Sequence, residues 1–265
     1  MIDPLTARVE RKGPIAPRSA LAKLGAALLI ALPLVLTIDV VSASVALLLE
    51  IPLLVLAGLR AREFWLRTAV LWIAAPLSAV TIALYGATSG TVHFEWLVMR
   101  VSDGSLALAA ATAVRVLAIG LPAVVLFVTV DPTDLADDLA QRLRLPARFV
   151  VGALAGMRML GLLADDWRAL ALARRARGVA DEGRVRRAFG MAFALFVLAI
   201  RRGSSLATAM EARGFGGRGT RSWARPSRWD RGDTALVLVA AVIPVVAIGV
   251  AVLTGAWNFI LGPTA

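Results

Sequence analysis

The stretch ALVLVAAVIPVVAIGVAVLTGAW, residues 235–257, runs for 23 residues without a charged side chain. As a helix it would be about 35 Å long, enough to cross a hydrocarbon core of about 30 Å with every backbone N–H and C=O satisfied inside the segment. Four more stretches have this character: Leu21–Thr37, Val40–Leu59, Leu66–Tyr85 and Leu106–Val130. Across all 265 residues 59% are hydrophobic and the mean hydropathy is +0.77, a balance that a water-soluble globule rarely tolerates. The sequence therefore predicts an all-α integral membrane protein with about five transmembrane helices. Some 20 residues precede the first apolar run, and further spans follow it without an obvious cleavage site, so that run reads as a span and not as a secretory leader.

The chain has no Cys, one His (His93) and one Tyr (Tyr85), which excludes disulfide scaffolds, thiolate metal sites, Cys nucleophiles and His-rich metal clusters. Basic residues outnumber acidic ones by 29 to 18, and all but Lys12 and Lys23 are arginine. Arg8, Arg11, Lys12, Arg18 and Lys23 precede or open the first span, whereas the next connection offers only Asp39. Arg60, Arg62 and Arg67 then flank the second-to-third connection, Arg100 stands alone in 86–105, and 19 basic residues fall between Asp131 and Asp233. The positive-inside rule places the N-terminus and the 131–233 segment in the cytoplasm, and the uncharged Asn258–Ala265 tail outside.

The 131–233 segment lacks strand alternation and carries apolar faces broken by arginines, the pattern of amphipathic helices at a membrane surface. Asp131 and Pro132 suit the N-cap and first turn of a short helix, with Asp134, Asp137 and Asp138 near its positive end and Arg142 and Arg144 near its negative end. Leu145-Pro146 stops it, because the residue before proline is pushed out of the helical region. A second helix is expected from about Arg148 to Arg177, on the order of 45 Å long. The third has an apolar core, Ala188–Ile200, too short for comfortable spanning, between Arg184, Arg186, Arg187 and Arg201, Arg202; it continues through Ser204–Arg213.

Two of these helices finish alike, at Ala176-Arg177-Gly178 and Ala212-Arg213-Gly214, 36 residues apart. Glycine just past a helix end takes the left-handed conformation without Cβ strain, and an arginine in the last turn is favoured by the helix dipole. The arrangement also leaves a planar guanidinium at the tip, able to bind a carboxylate through two parallel hydrogen bonds. Two copies suggest two equivalent contacts with a pair of similar partners.

With Val130-Asp131-Pro132-Thr133-Asp134-Leu135, Arg144-Leu145-Pro146, Ala173-Arg174-Arg175-Ala176-Arg177-Gly178 and Ala209-Met210-Glu211-Ala212-Arg213-Gly214-Phe215, the chain resembles the transmembrane T component of energy-coupling factor transporters, the family that includes the cobalt-transport permease CbiQ. The resemblance implies a scaffold between a substrate-binding membrane subunit and two cytoplasmic ATPases, with Arg177 and Arg213 pairing with acidic residues of those ATPases. The implied organisation is a cytoplasmic segment 1–20, four spans in 21–130, a coupling module in 131–233, and a last span with an outer tail in 234–265. The cargo it implies is a vitamin or a transition-metal ion, recognised by the separate subunit. The chain departs from many relatives at Gly203-Ser204-Ser205, where they carry acidic residues.

No Gly-Lys pair exists for a phosphate-binding loop, so any hydrolysis must occur on another polypeptide. No cofactor, metal or nucleic acid is expected. Glu50 in the second span and Arg115 in the fourth are each costly in lipid unless paired or hydrated, and a Glu50–Arg115 pair would be either structural or part of an ion relay. His93 and Glu95 read as a solvated outer loop, and Asp165 and Asp166 as a solvated polar face beside Arg168. Trp223 and Trp229 among the arginines of 218–231 suit anchoring at anionic lipid better than nucleic-acid binding, and the glycine-rich 214–219 follows no strand. The rival readings are an integral-membrane enzyme acting on a lipid phosphate, with Asp131, Asp134, Asp137 and Asp138 as its carboxylates, and a secondary transporter, for which no inverted repeat is visible.

Overall fold

The computed structural model describes residues 13–86, 89–96, 99–178, 183–217 and 222–259. Arg8, Arg11, Lys12, Arg218, Gly219 and the end of the expected outer tail lie outside the described residues. The chain divides into two units, one made of residues 1–135 and 228–265 and the other of 136–227.

The first unit holds α1 (Ala20–Val35), α2 (Val40–Leu56), α3 (Ala61–Tyr85), a hairpin of β1 (Val92–Trp96) and β2 (Met99–Ser102), α4 (Asp103–Val128) and, from the far end of the sequence, α8 (Arg231–Leu253). The helices start where polar side chains can take the first free N–H groups. Ser19 accepts from Ala22 N, Asp39 from Ser42 N, and Ser102 and Ser105 form a reciprocal capping box at α4. The Asp233 carboxylate accepts from Asp230 N at the start of α8 and from Ser19 N, both at 2.8 Å, which ties the first helix to the last.

Inside the bundle of α1, α2, α4 and α8 small buried residues sit among larger ones such as Ile30, Leu34, Leu53, Val125 and Leu126. Ala22 and Ala26 of α1, Ala43 and Ala46 of α2, Ala118 of α4 and Ala240 and Ala247 of α8 are inaccessible, at the three- and four-residue spacing of one helix face. Small residues let helix backbones approach closely, and that close packing substitutes for a hydrophobic driving force that lipid does not supply. The outer faces are apolar as well: Leu32, Leu48, Val55, Val70, Ile73, Leu77 and Val245 are exposed, an arrangement suited to lipid. Pro33, Pro52, Pro76, Pro122 and Pro244 each sit inside one of the five long helices of this unit, a frequency common in membrane helices.

The second unit contains most of the short helix α5 (Pro132–Gln141), then α6 (Ala147–Ala176) and α7 (Arg184–Ala212). Ala136, Ala140 and Val150 make a small core with Leu139, Leu154 and Trp223. Between α5 and α6 Arg144 takes a left-handed conformation, φ 54°, and Pro146 precedes the first turn of α6, as the Leu145-Pro146 stop requires.

Among the described residues five helices are long and apolar enough to cross a membrane, the number expected, but the set differs. Length admits α3, α4, α6, α7 and α8, whereas α1 and α2, with 16 and 17 residues, fall short of the usual span. The difference lies in α6 and α7, rods of 30 and 29 residues: α7 runs on through Arg201 and Arg202, as expected, and its length together with that of α6 meets the span requirement although both read from sequence as surface helices. The expected loop around His93 also contains the β1–β2 hairpin, with Glu95 opposite Arg100.

Candidate functional site

The two Ala-Arg-Gly tripeptides end α6 and α7 with nearly the same backbone. Arg177 and Arg213 are the C-caps, with φ −87° and ψ 2° in one and φ −90° and ψ 10° in the other. Gly178 and Gly214 follow with φ 72° and 77°, values that an L side chain reaches only with strain; no atom outside the cap lies within 4 Å of a Cβ placed there, so conformation and not space requires glycine. Gly178 N donates to Arg175 O at 3.1 Å and Gly214 N to Glu211 O at 2.9 Å, and Phe215 N completes the second cap on Met210 O. Both arginines are exposed, and neither guanidinium is engaged by any described residue. Arg213 borders a cavity of about 720 Å³ with Pro146, Arg148 and Val151 from the start of α6.

Glu50 and Arg115 do not form the expected pair. Glu50 is fully buried on the α2 face turned into the alanine-rich interior, and neither of its carboxylate oxygens has a hydrogen-bond partner. Nε and Nη2 of Arg115 are likewise without one, and the carboxylate that acts electrostatically on Arg115 is Asp39 at the α2 cap. Asp165 and Asp166 also part company. Asp165 pairs with Arg168 one turn on, at 3.5 Å, while Asp166 turns to α7 and meets Arg202 at 2.6 Å. His93 lies on β1, its Nε2 2.6 Å from Asp103 Oδ1 at the start of α4. Among the described residues no cluster of three or more His, Asp or Glu could hold a metal ion.

The acidic residues at the start of α5 are occupied structurally. Asp131 accepts from Thr133 N at 2.8 Å, and Asp138 is buried, bound by the Ser227 hydroxyl and 3.6 Å from Arg142 Nε. Lys23, counted from sequence as one of the cytoplasmic cations, is buried: its ammonium donates to Ala16 O at 2.9 Å and to Thr129 O at 3.1 Å, the latter at the negative end of α4. Nothing in the sequence near Lys23 signals this, because the Thr129 carbonyl comes from the distant end of α4 and Ala16 O is brought to it only by the turn before α1.

Comparison with known proteins agrees with this architecture. Relatives named energy-coupling factor transporter transmembrane protein EcfT include one from Limosilactobacillus fermentum, 27% identical over 188 residues that cover 66% of this chain and 70% of the relative. Another, from Brevibacillus brevis, is 30% identical over 181 residues, covering 63% and 68%, and one from Exiguobacterium sibiricum is 29% identical over 174 residues, covering 61% and 66%. About a third of each relative thus lies outside the match. The model of the cobalt transport protein family, CbiQ, matches residues 17–223, which take in the helices from α1 to α7 and both arginine-tipped ends, and the chain belongs to that family.

Proposed function

We propose that this chain is the transmembrane coupling subunit of an energy-coupling factor transporter. It sits in the plasma membrane of a prokaryote with its N-terminus in the cytoplasm, and transmits the ATP-driven motion of two cytoplasmic ATPases to a substrate-binding membrane subunit. Arg177 and Arg213 are the contacts with the two ATPases. The observation that carries this reading is the pair of helix ends with matching caps, each presenting an exposed guanidinium that no described residue engages. A guanidinium fork in that state suits a carboxylate of a partner protein. The name shared by the relatives supports the same transporter class.

The remaining surface of the second unit fits such a role. Phe189, Phe193 and Phe196 of α7 are 74%, 70% and 62% exposed, an apolar face that a membrane subunit or lipid would cover. The cargo is a vitamin or a transition-metal ion bound by the other subunit, and this chain contributes no catalysis of its own, having no Gly-Lys pair to reach a nucleotide phosphate. The test is isolation of a tagged Arg177→Ala plus Arg213→Ala variant from its native membrane. The variant is expected to remain membrane-inserted and to lose both ATPases. Retention of both ATPases with normal ATP-driven uptake would falsify the assignment.

A further inference from the structure

Helices α6 and α7 run antiparallel and touch sparingly. Asp166 of α6 meets Arg202 of α7; further along α6 the Arg174 guanidinium lies 3.1 Å from where a Cβ on Gly190 would stand, so later residues of one helix meet earlier residues of the other. Met191 is the one buried described side chain of α7, and in α6 only Val150 is buried, packed with α5. Apolar burial therefore does little to set where the two rods cross.

A polar contact does. Arg202 Nη2 donates to Asp166 Oδ1 at 3.1 Å, and Nη1 lies 2.6 Å from Oδ2 as a close charge contact without hydrogen-bond geometry, both of these atoms being shut off from solvent. The side chains are 20% exposed for Asp166 and 39% for Arg202, against 73% and 62% for the neighbouring Asp165–Arg168 pair, so the interhelical pair is the better shielded of the two. Its position has a simple relation to the tips. Asp166 and Arg202 are 36 residues apart, the spacing that also separates Arg177 from Arg213. Each member of the pair therefore stands eleven residues before its own tip arginine, an arm of about 16 Å of continuous helix at 1.5 Å per residue. The two antiparallel arms thus have equal length and matching caps.

We propose that the Asp166–Arg202 ion pair is the fulcrum of the α6–α7 crossing, fixing the two helices at points equidistant from Arg177 and Arg213 so that displacement of one tip is delivered to the other through an equal arm. The proposal rests on the coupling role given above to those tips. Asp166 and Arg202 are positioning residues: they touch no nucleotide or cargo, and act by keeping two rods from sliding or splaying. An equal-armed pivot suits two similar motors, because each would move its own tip by the same amount for the same domain closure.

The absence of cysteine allows a direct measurement. Leu172→Cys and Thr208→Cys place a spin label on each arm, six residues beyond the pair, both on exposed sites. Distances between the labels are read by pulsed electron resonance in the isolated subunit, and in the complex with ADP and with Mg-ATP. The parent is expected to give a single narrow distribution whose maximum shifts with nucleotide. Asp166→Ala and Arg202→Ala are each expected to broaden the distribution and to lose the shift while both ATPases still co-purify, and the exchange Asp166→Arg with Arg202→Asp is expected to restore both. Arg202→Lys, which keeps the charge without the fork, is the milder variant if alanine prevents folding, and is expected to broaden the distribution in the isolated subunit. Narrow distributions and a full shift in the single variants, or a charge exchange that behaves like them, overturn the fulcrum. The width in the isolated subunit tests the pivot without any ATPase, so its outcome stays separate from that of the Arg177 and Arg213 variant.

Discussion

The bundle of α1, α2, α4 and α8 and the pair α6–α7 are both strongly apolar, yet they use that character in opposite ways. In the bundle, alanines at three- and four-residue spacing are buried to 0% together with Ile30, Leu34, Val125 and Leu126, while other large side chains such as Leu32, Leu48, Val55 and Val245 point outward. In α6 and α7 Phe149, Phe189, Phe193 and Phe196 are exposed, as are Leu160, Leu162 and Leu172, and the helices are held to each other by an ion pair. The contrast teaches that the amount of hydrophobicity does not reveal which apolar helix is packed by its own chain. In the bundle small residues mark where helix backbones approach, whereas Gly152, Gly156 and Gly161 of α6 meet no other segment, and large exposed residues mark a surface left for lipid or a partner.

The most damaging way to break this comparison is to enlarge a small residue of the bundle. Ala240→Leu adds three heavy atoms at a fully buried site, and overpacking of this kind costs about 1–3 kcal/mol. Its counterpart on α7, Phe193→Ala, removes a side chain that is 70% exposed and is expected to change stability by less than about 0.5 kcal/mol. Thermal unfolding of the detergent-solubilised chain measures both. Equal losses for the two variants would erase the distinction between an internally packed bundle and an unoccupied surface.

Glu50 sharpens the same comparison from the polar side. The bundle tolerates an unpaired buried carboxyl, and a buried polar group without a partner costs about 1–3 kcal/mol. Glu50→Leu, similar in volume, is therefore expected to raise the unfolding temperature. Because no ion pair joins Glu50 to Arg115, the effect of Glu50→Leu should be the same in an Arg115→Leu background, within the roughly 0.5 kcal/mol expected of independent sites. A coupling larger than that would mean that the two side chains meet.

Much of this molecule is legible in the sequence because hydropathy and cap chemistry are local. The expected spans Leu66–Tyr85 and Ala235–Trp257 lie within a few residues of α3 and α8, and the short helix after Asp131 begins at Pro132. The Ala-Arg-Gly endings are equally local, since a left-handed glycine and the residue before it suffice to stop a helix. What escapes is whatever depends on the approach of distant segments. Asp166 stands beside Asp165 and two residues from Arg168, so the sequence offers a nearby partner for either carboxylate and gives no sign of which one turns to Arg202. Lys23 looks like any cytoplasmic cation until Thr129 and Ala16 are brought to it. Glu50 and Arg115 fail in the other direction: two opposite charges in a membrane invite pairing, but the Glu50 carboxyl lies on the buried face of α2 with Ala43, Ala46 and Leu53 and has no hydrogen-bond partner.

The smallest effect is expected at the surface pair that ties the N-terminal segment to the start of α8. Arg18 Nη1 donates to Asp230 Oδ2 at 2.9 Å, but Asp230 is 73% exposed, so solvent and salt screen the contact far more than the one between α6 and α7. The backbone N–H of Arg231, and after it the Arg18 guanidinium, hold the Asp230 carboxyl below the usual carboxylate range. A depressed carboxylate contributes stability that is complete above its unfolded pKa of about 4 and is lost as the pH falls toward the lower folded value. Acidification from pH 7 to pH 5 should therefore leave this contribution untouched, and a further drop below about pH 4 should remove it. Arg18→Gln is expected to lessen the acid sensitivity of the unfolding temperature without abolishing it, because the larger cause is the backbone N–H, which the substitution leaves in place. High salt should imitate Arg18→Gln at neutral pH, whereas the same salt should leave the label distances across the Asp166–Arg202 crossing unchanged. A salt response of equal size at both places would show that burial does not distinguish them.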